Sequence, residues 1–153
     1  MDMCTNVDVI EAAVSRENGT SRFTFKSDPT NMSAFANSLA YEIEDGVTSE
    51  VRLITIDTLC SEFSPDLIKI DIEGAEFEAL QGAEVVLREA SPVLIVAIHP
   101  DPLEKMGSSP AGLIAFLDRL GYAARHLDGT PVRGDVGFEE IILEKMVYRG
   151  GCA

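Results

Sequence analysis

The chain is poor in the features that define several protein classes. It has no tryptophan, three cysteines, and 12 basic residues against 26 acidic ones. Cys4, Cys60 and Cys152 are odd in number, widely spaced and form no C-x-x-C pair, which argues against a disulfide framework and against a zinc site. A reducing, cytoplasmic setting is the default that follows. No stretch reaches the roughly 18 apolar residues of a membrane span, and residues 1–6 carry neither a basic nor an apolar signal region. The formal net charge of -14 repels phosphate backbones and anionic lipid, so neither nucleic acid nor membrane is an expected partner. A neutral or cationic small ligand suits that field better, although solubility alone accounts for most of such a charge. Glycine-built cradles are missing as well. No G-x-G-x-x-G follows a strand, and there is neither a P-loop nor a G-x-S-x-G elbow.

With 153 residues and 46% hydrophobic composition, the chain fits one domain, 1–153, with a sizeable core. Residues 7–14 read as a strand region, and Asn18-Gly19 as a turn leading to alternating Arg22, Phe23, Thr24 and Phe25, which predicts a hairpin. Residues 26–46 are polar and read as loop with one helical turn near 35–40. Val51, Leu53 and Thr55 alternate as in a strand, after which Asp57 is placed to cap a short helix ending near Ser64-Pro65. Residues 67–72 form a short strand. The helix beyond it has Glu76 and Glu78 in its first turn, where acids meet the positive end of the dipole. Gly82 within that helix predicts a break or a close helix-to-sheet contact. Residues 93–98 are six apolar residues in a row, as in a parallel strand covered on both faces. His99-Pro100-Asp101-Pro102 reads as a turn. Ser109 and Pro110 start a helix that Gly121 ends, and residues 122–127 and 138–147 complete the strands.

The segment D-L-I-K-I-D-I-E-G-A-E-F-E-A-L-Q-G at 66–82 is the most informative. It changes from strand to helix period with Asp71, Glu73 and Gly74 at the junction. In open α/β sheets, ligands bind beyond the carboxyl ends of the strands. If the strands at 67 and 93 are parallel neighbours, Asp71 and Glu73 meet His99 and Asp101 at one rim. Such a group can act as general base toward a hydroxyl, or its hard oxygens can hold magnesium or calcium. Plainer readings stand beside these. Asp71 shares a strand face with Lys69 and can simply pair with it, Glu73 and above all Glu76 can be dipole-facing acids, and His99 can be a turn residue bonded to backbone. His126 ranks below His99 because it lacks acidic neighbours before Asp128.

I-T-I-D-T-L at 54–59, D-L-I-K-I-D-I-E-G-A-E at 66–76, L-Q-G-A at 80–83 and S-P-V-L-I-V-A-I-H-P at 91–100 together resemble the FkbM-type methyltransferases. The resemblance implies an α/β fold: a three-layer Rossmann-like methyltransferase sheet, mostly parallel with an antiparallel last strand. It implies an S-adenosylmethionine-dependent enzyme methylating a hydroxyl oxygen on a sugar or secondary metabolite. By that resemblance Asp71, Glu73 and His99 border methyl transfer, while Ala12, Ala13 and Asp71 contact the cofactor. Ala97 stands where these proteins often carry glutamate. The family's glycine-containing first loop and its second strand, with the acid that binds the ribose, are not found in these residues. The chain therefore reads as a partial domain, truncated at the N-terminus and lacking the first two strands, with weak or absent cofactor binding of its own. That leaves an unpaired sheet edge beside the strand at 67, to be covered by the N-terminal hairpin or by another chain in a homo-oligomer. The alternative is a non-catalytic interaction domain or inactive fragment of the same fold. I-K-I-D is also similar to a strand motif of EAL-type phosphodiesterases, which are longer barrels with more metal ligands than this chain holds.

Overall fold

The computed structural model describes residues 6–25 and 47–146. Cys4, Cys152 and the polar segment 26–46 lie outside the described residues. Two sheets form. In the first, β1 (Ala13–Val14) pairs in parallel with β3 (Val47–Ile54), whose other edge pairs antiparallel with β2 (Gly19–Phe25). In the second, β4 (Leu67–Ile70) runs parallel to β5 (Val93–Ile98), and β7 (Glu139–Lys145) lies between β5 and β6 (Tyr122–His126), antiparallel to both.

This corrects the expectation of a mostly parallel sheet. Two of the five described strand pairs are parallel, because the last strand inserts between β5 and β6 against the direction of both. The architecture is mixed α/β. The expected hairpin at Asn18-Gly19 is also corrected: β1 and β2 do not pair, since β3 sits between them. Asn18 turns the chain by another means. Its side-chain oxygen accepts from Thr55 N at 3.0 Å, and its amide donates to Thr58 Oγ1 at 2.9 Å. The N-terminal strands therefore do not cover β4, which ends its sheet with Leu67 exposed.

The helices follow their caps. Thr55, not Asp57, caps α1 (Ile56–Leu59), its hydroxyl accepting from Thr58 N at 3.0 Å. Asp57 instead reaches across to the start of α3 (Glu84–Glu89), accepting from Val85 N at 3.2 Å and Val86 N at 2.9 Å. The helix expected after the acidic turn is divided, as Gly82 suggested, into α2 (Glu76–Gln81) and α3. A Cβ at Gly82 would run into the carbonyl oxygen of Ser15, so glycine lets the first sheet approach this joint. Residues 100–105 form a helix rather than a turn, α4 (Pro100–Lys105), because Pro100 sits in its first turn, where a missing N–H costs nothing. Ser109 caps α5 (Pro110–Arg119) as expected.

One cluster of buried side chains joins these parts: Leu80, Ala83 and Leu87 from α2 and α3, Leu103 from α4, Leu113 and Leu117 from α5, and Leu94, Val96, Ile98, Ile141 and Leu143 from the strands. β5 lies at the centre of this core, consistent with its uninterrupted apolar run. Its carboxyl end carries His99.

Candidate active site

The chain leaves β4 at Ile70 and turns within four residues. Glu73 adopts φ 55° and Gly74 φ 113°. A glutamate in the left-handed region carries local strain of about 1 kcal/mol, a feature that gathers at functional sites. At Gly74 any side chain would meet Pro102, whose Cβ would lie 2.5 Å from an added Cβ. The turn and the start of α4 are thus locked together, and the carboxylates project at a fixed place beyond the strand end.

His99 follows β5 and is 3% exposed. Its Nδ1 lies 2.7 Å from Oε1 of Glu76, a residue with no exposure. The same Oε1 accepts from Gly74 N at 3.0 Å. A carboxylate only accepts, so this bond places the imidazole proton on Nδ1 and leaves the Nε2 lone pair on the side of Asp71 and Glu73. Nε2 lies 3.8 Å from Asp71 Oδ1 and 3.7 Å from Glu73 Oε1. Those separations exceed hydrogen bonds, and they let one small hydroxyl reach the imidazole and a carboxylate together. Glu76 Oε2 has no hydrogen-bond partner among the described residues, although it is buried.

The three residues expected at the site, Asp71, Glu73 and His99, are brought together. Asp101 is not; it is exposed on α4, and the third acid is Glu76. The sequence pointed to Glu76 only as an acid facing a helix dipole, because nothing local announces a partner 23 residues away. The Lys69–Asp71 pair is present at 3.5 Å, but Lys69 sits closer to Glu140, at 2.9 Å. Glu140 and then Asp71 hold its ammonium above the usual lysine range. Glu140 is the cross-strand neighbour of Ala97 in β7. His126 is not without an acid either: its Nδ1 lies 2.7 Å from Glu139 Oε2.

A family model for the methyltransferase FkbM domain matches residues 4–124. The chain belongs to the FkbM methyltransferase family. Among solved structures it is similar to methyltransferase FkbM from Methylobacillus flagellatus KT, with 23% identity and a TM-score of 0.43. That match covers 62% of this chain and 23% of the other, so the chain spans under a quarter of that protein's length. No curated protein matches it.

The FkbM match ends before β6 is complete, so residues 125–146, with β7, lie outside it. Of Ala12 and Ala13, expected on the cofactor side, Ala13 opens β1 in the first sheet and Ala12 precedes it, and no described hydrogen bond or ion pair joins them to Asp71 or His99. Between β1 and β4 lies an apolar cleft of about 410 Å³, lined by Ile10, Val14, Ile56, Phe63, Leu67 and Ile70 among others. Lys69 is the one charged residue in that lining. No carboxylate lines that cleft to take a ribose diol, so the described residues of the cleft do not by themselves fit S-adenosylmethionine. No three His, Cys, Asp or Glu side chains among the described residues are arranged to hold a metal. No described helix is long and apolar enough to cross a membrane.

Proposed function

We propose that this FkbM-family chain provides the acceptor side of a cytoplasmic S-adenosylmethionine-dependent O-methyltransferase acting on a hydroxyl of a sugar or secondary metabolite. One observation carries the reading: Nε2 of a buried imidazole, oriented from behind by Glu76, faces Asp71 and Glu73 across less than 4 Å. In this reading a substrate hydroxyl donates to Nε2 or to Asp71, the proton moves there, and the oxygen becomes the nucleophile. Most of the acceleration comes from positioning. Glu76 stabilises the imidazolium that forms and keeps the ring in one tautomer.

Transfer of an isotope-labelled methyl group to a panel of hydroxyl, amine and thiol acceptors tests the proposal. Label confined to an ether oxygen supports it; label on nitrogen or sulfur, or transfer undiminished by His99→Gln, overturns it. Calorimetry with S-adenosylmethionine is expected to give weak binding. Tight one-to-one binding would refute the account of the donor side.

The free edge of β4 favours a second role. Its main-chain groups, unpaired on that side among the described residues, and exposed Leu67 suit strand addition by a second copy of this chain. A monomer in light scattering, with Leu67–Ile70 amides exchanging freely, argues against that dimer.

A further inference from the structure

Phe138 is 79% exposed, and it stands outside the stretch that matches the FkbM model. Its ring is nonetheless fixed at the rim. The centroid lies 5.0 Å from that of His99, with the planes 71° apart. The next residue, Glu139, opens β7 opposite Ile98 and is held by His126 at 2.7 Å. The Phe138 ring therefore stands against the imidazole while remaining largely open to solvent. The Asp71 and Glu73 side chains beside that imidazole are 46% and 43% exposed.

An open aromatic surface next to half-exposed carboxylates, one of them also within 3.5 Å of Lys69, has a defined chemical complement. The C–H face of a saturated ring packs on a phenyl face, whose π cloud is negative and attracts C–H edges, while ring hydroxyls donate to the carboxylates. The acids also repel any ligand carrying negative charge. We infer that Phe138 is the stacking platform of the acceptor site, and that the acceptor is an uncharged pyranose-type ring with hydroxyls turned toward Asp71 and Glu73. This rests on the O-methyltransferase reading and names its substrate class. It also assigns substrate choice to residues after β6, outside the matched region.

Proton NMR titration of the chain with a methyl pyranoside and with the matching uronate tests it, using the native chain, Phe138→Tyr and Phe138→Leu. Leucine keeps apolar bulk over His99 but removes the flat ring; tyrosine keeps the flat ring. Ring-face protons of the pyranoside are expected to move upfield with the native and tyrosine chains. With leucine the shift is lost and affinity falls about tenfold, and the uronate does not bind. Equal binding by the leucine chain, no binding by the native chain, or equal binding of the uronate overturns the inference. So does a leucine chain that loses binding only as its His99 ring signals move, for Phe138 would then be a shield. Pyranoside binding with label transferred only to nitrogen or sulfur acceptors counts against the enzymatic reading alone. Transfer indifferent to Phe138→Leu counts against the platform alone.

Discussion

His99 Nδ1 lies 2.7 Å from Glu76 Oε1, and neither side chain is open to solvent. Glu76→Gln keeps the size of the side chain and removes its charge. Methyl transfer is expected to fall roughly tenfold to a hundredfold in kcat, with KM for the hydroxyl acceptor little changed. Nitrogen NMR of the His99 ring reports the accompanying loss of a single tautomer. Glu76→Ala leaves Nδ1 and Gly74 N without their acceptor and should destabilise the fold by about 2 kcal/mol.

Asp71→Asn separates catalysis from ion pairing. The Lys69–Asp71 contact is exposed and long, so the midpoint of urea unfolding should hardly move. Methyl transfer should drop roughly a hundredfold if Asp71 shares the hydroxyl proton with His99. Unaltered transfer would leave Asp71 as a surface partner of Lys69 and nothing more.

Gly82→Ala is expected to destabilise the chain by about 1–3 kcal/mol, because the new methyl group meets the Ser15 carbonyl and the first sheet must move away from α2. The midpoint of chemical unfolding measures this. A substitution without cost would mean that the sheet does not approach the joint.

Asp57→Ala should lower stability by about 1 kcal/mol through loss of the cap on α3, with Asp57→Asn retaining most of it, since its amide oxygen still accepts. Hydrogen exchange at Val85 and Val86 locates the effect. Fraying of α1 instead would restore the cap that the sequence suggested.

Burial pushes the Tyr122 phenol up to about 12 from an ordinary 10.0. Its hydroxyl donates to Leu87 O at 3.3 Å. The unfolded chain loses this proton first, so the stability is fully present below the ordinary value. It is lost as pH rises toward the folded one. Chemical unfolding followed from neutral to strongly alkaline pH should show that decline, and Tyr122→Phe should remove this part of it.

Local pattern carried much of the architecture. The apolar run of β5, the cap at Ser109 and the glycine at 82 were each legible because the cause lies within a few residues: solvent-free faces, an orphan amide, the absence of a Cβ. Pairing partners were not legible. Asn18-Gly19 signals a turn but not which strand follows alongside, and β3 reaches its place from beyond residues 26–46. Asp57 is chemically suited to cap either helix, and only packing of α1 against α3 selects the second.

The same division holds at the site. Sequence alone determined that Asp71, Glu73 and His99 stand at the ends of two strands, since strand length and turn chemistry are local properties. Tertiary structure decided that Glu76 turns inward to orient the imidazole and that Phe138 covers one side of it. Those contacts depend on the register between β4, β5 and β7. That register is set by how the whole core packs, and no short stretch of residues encodes it.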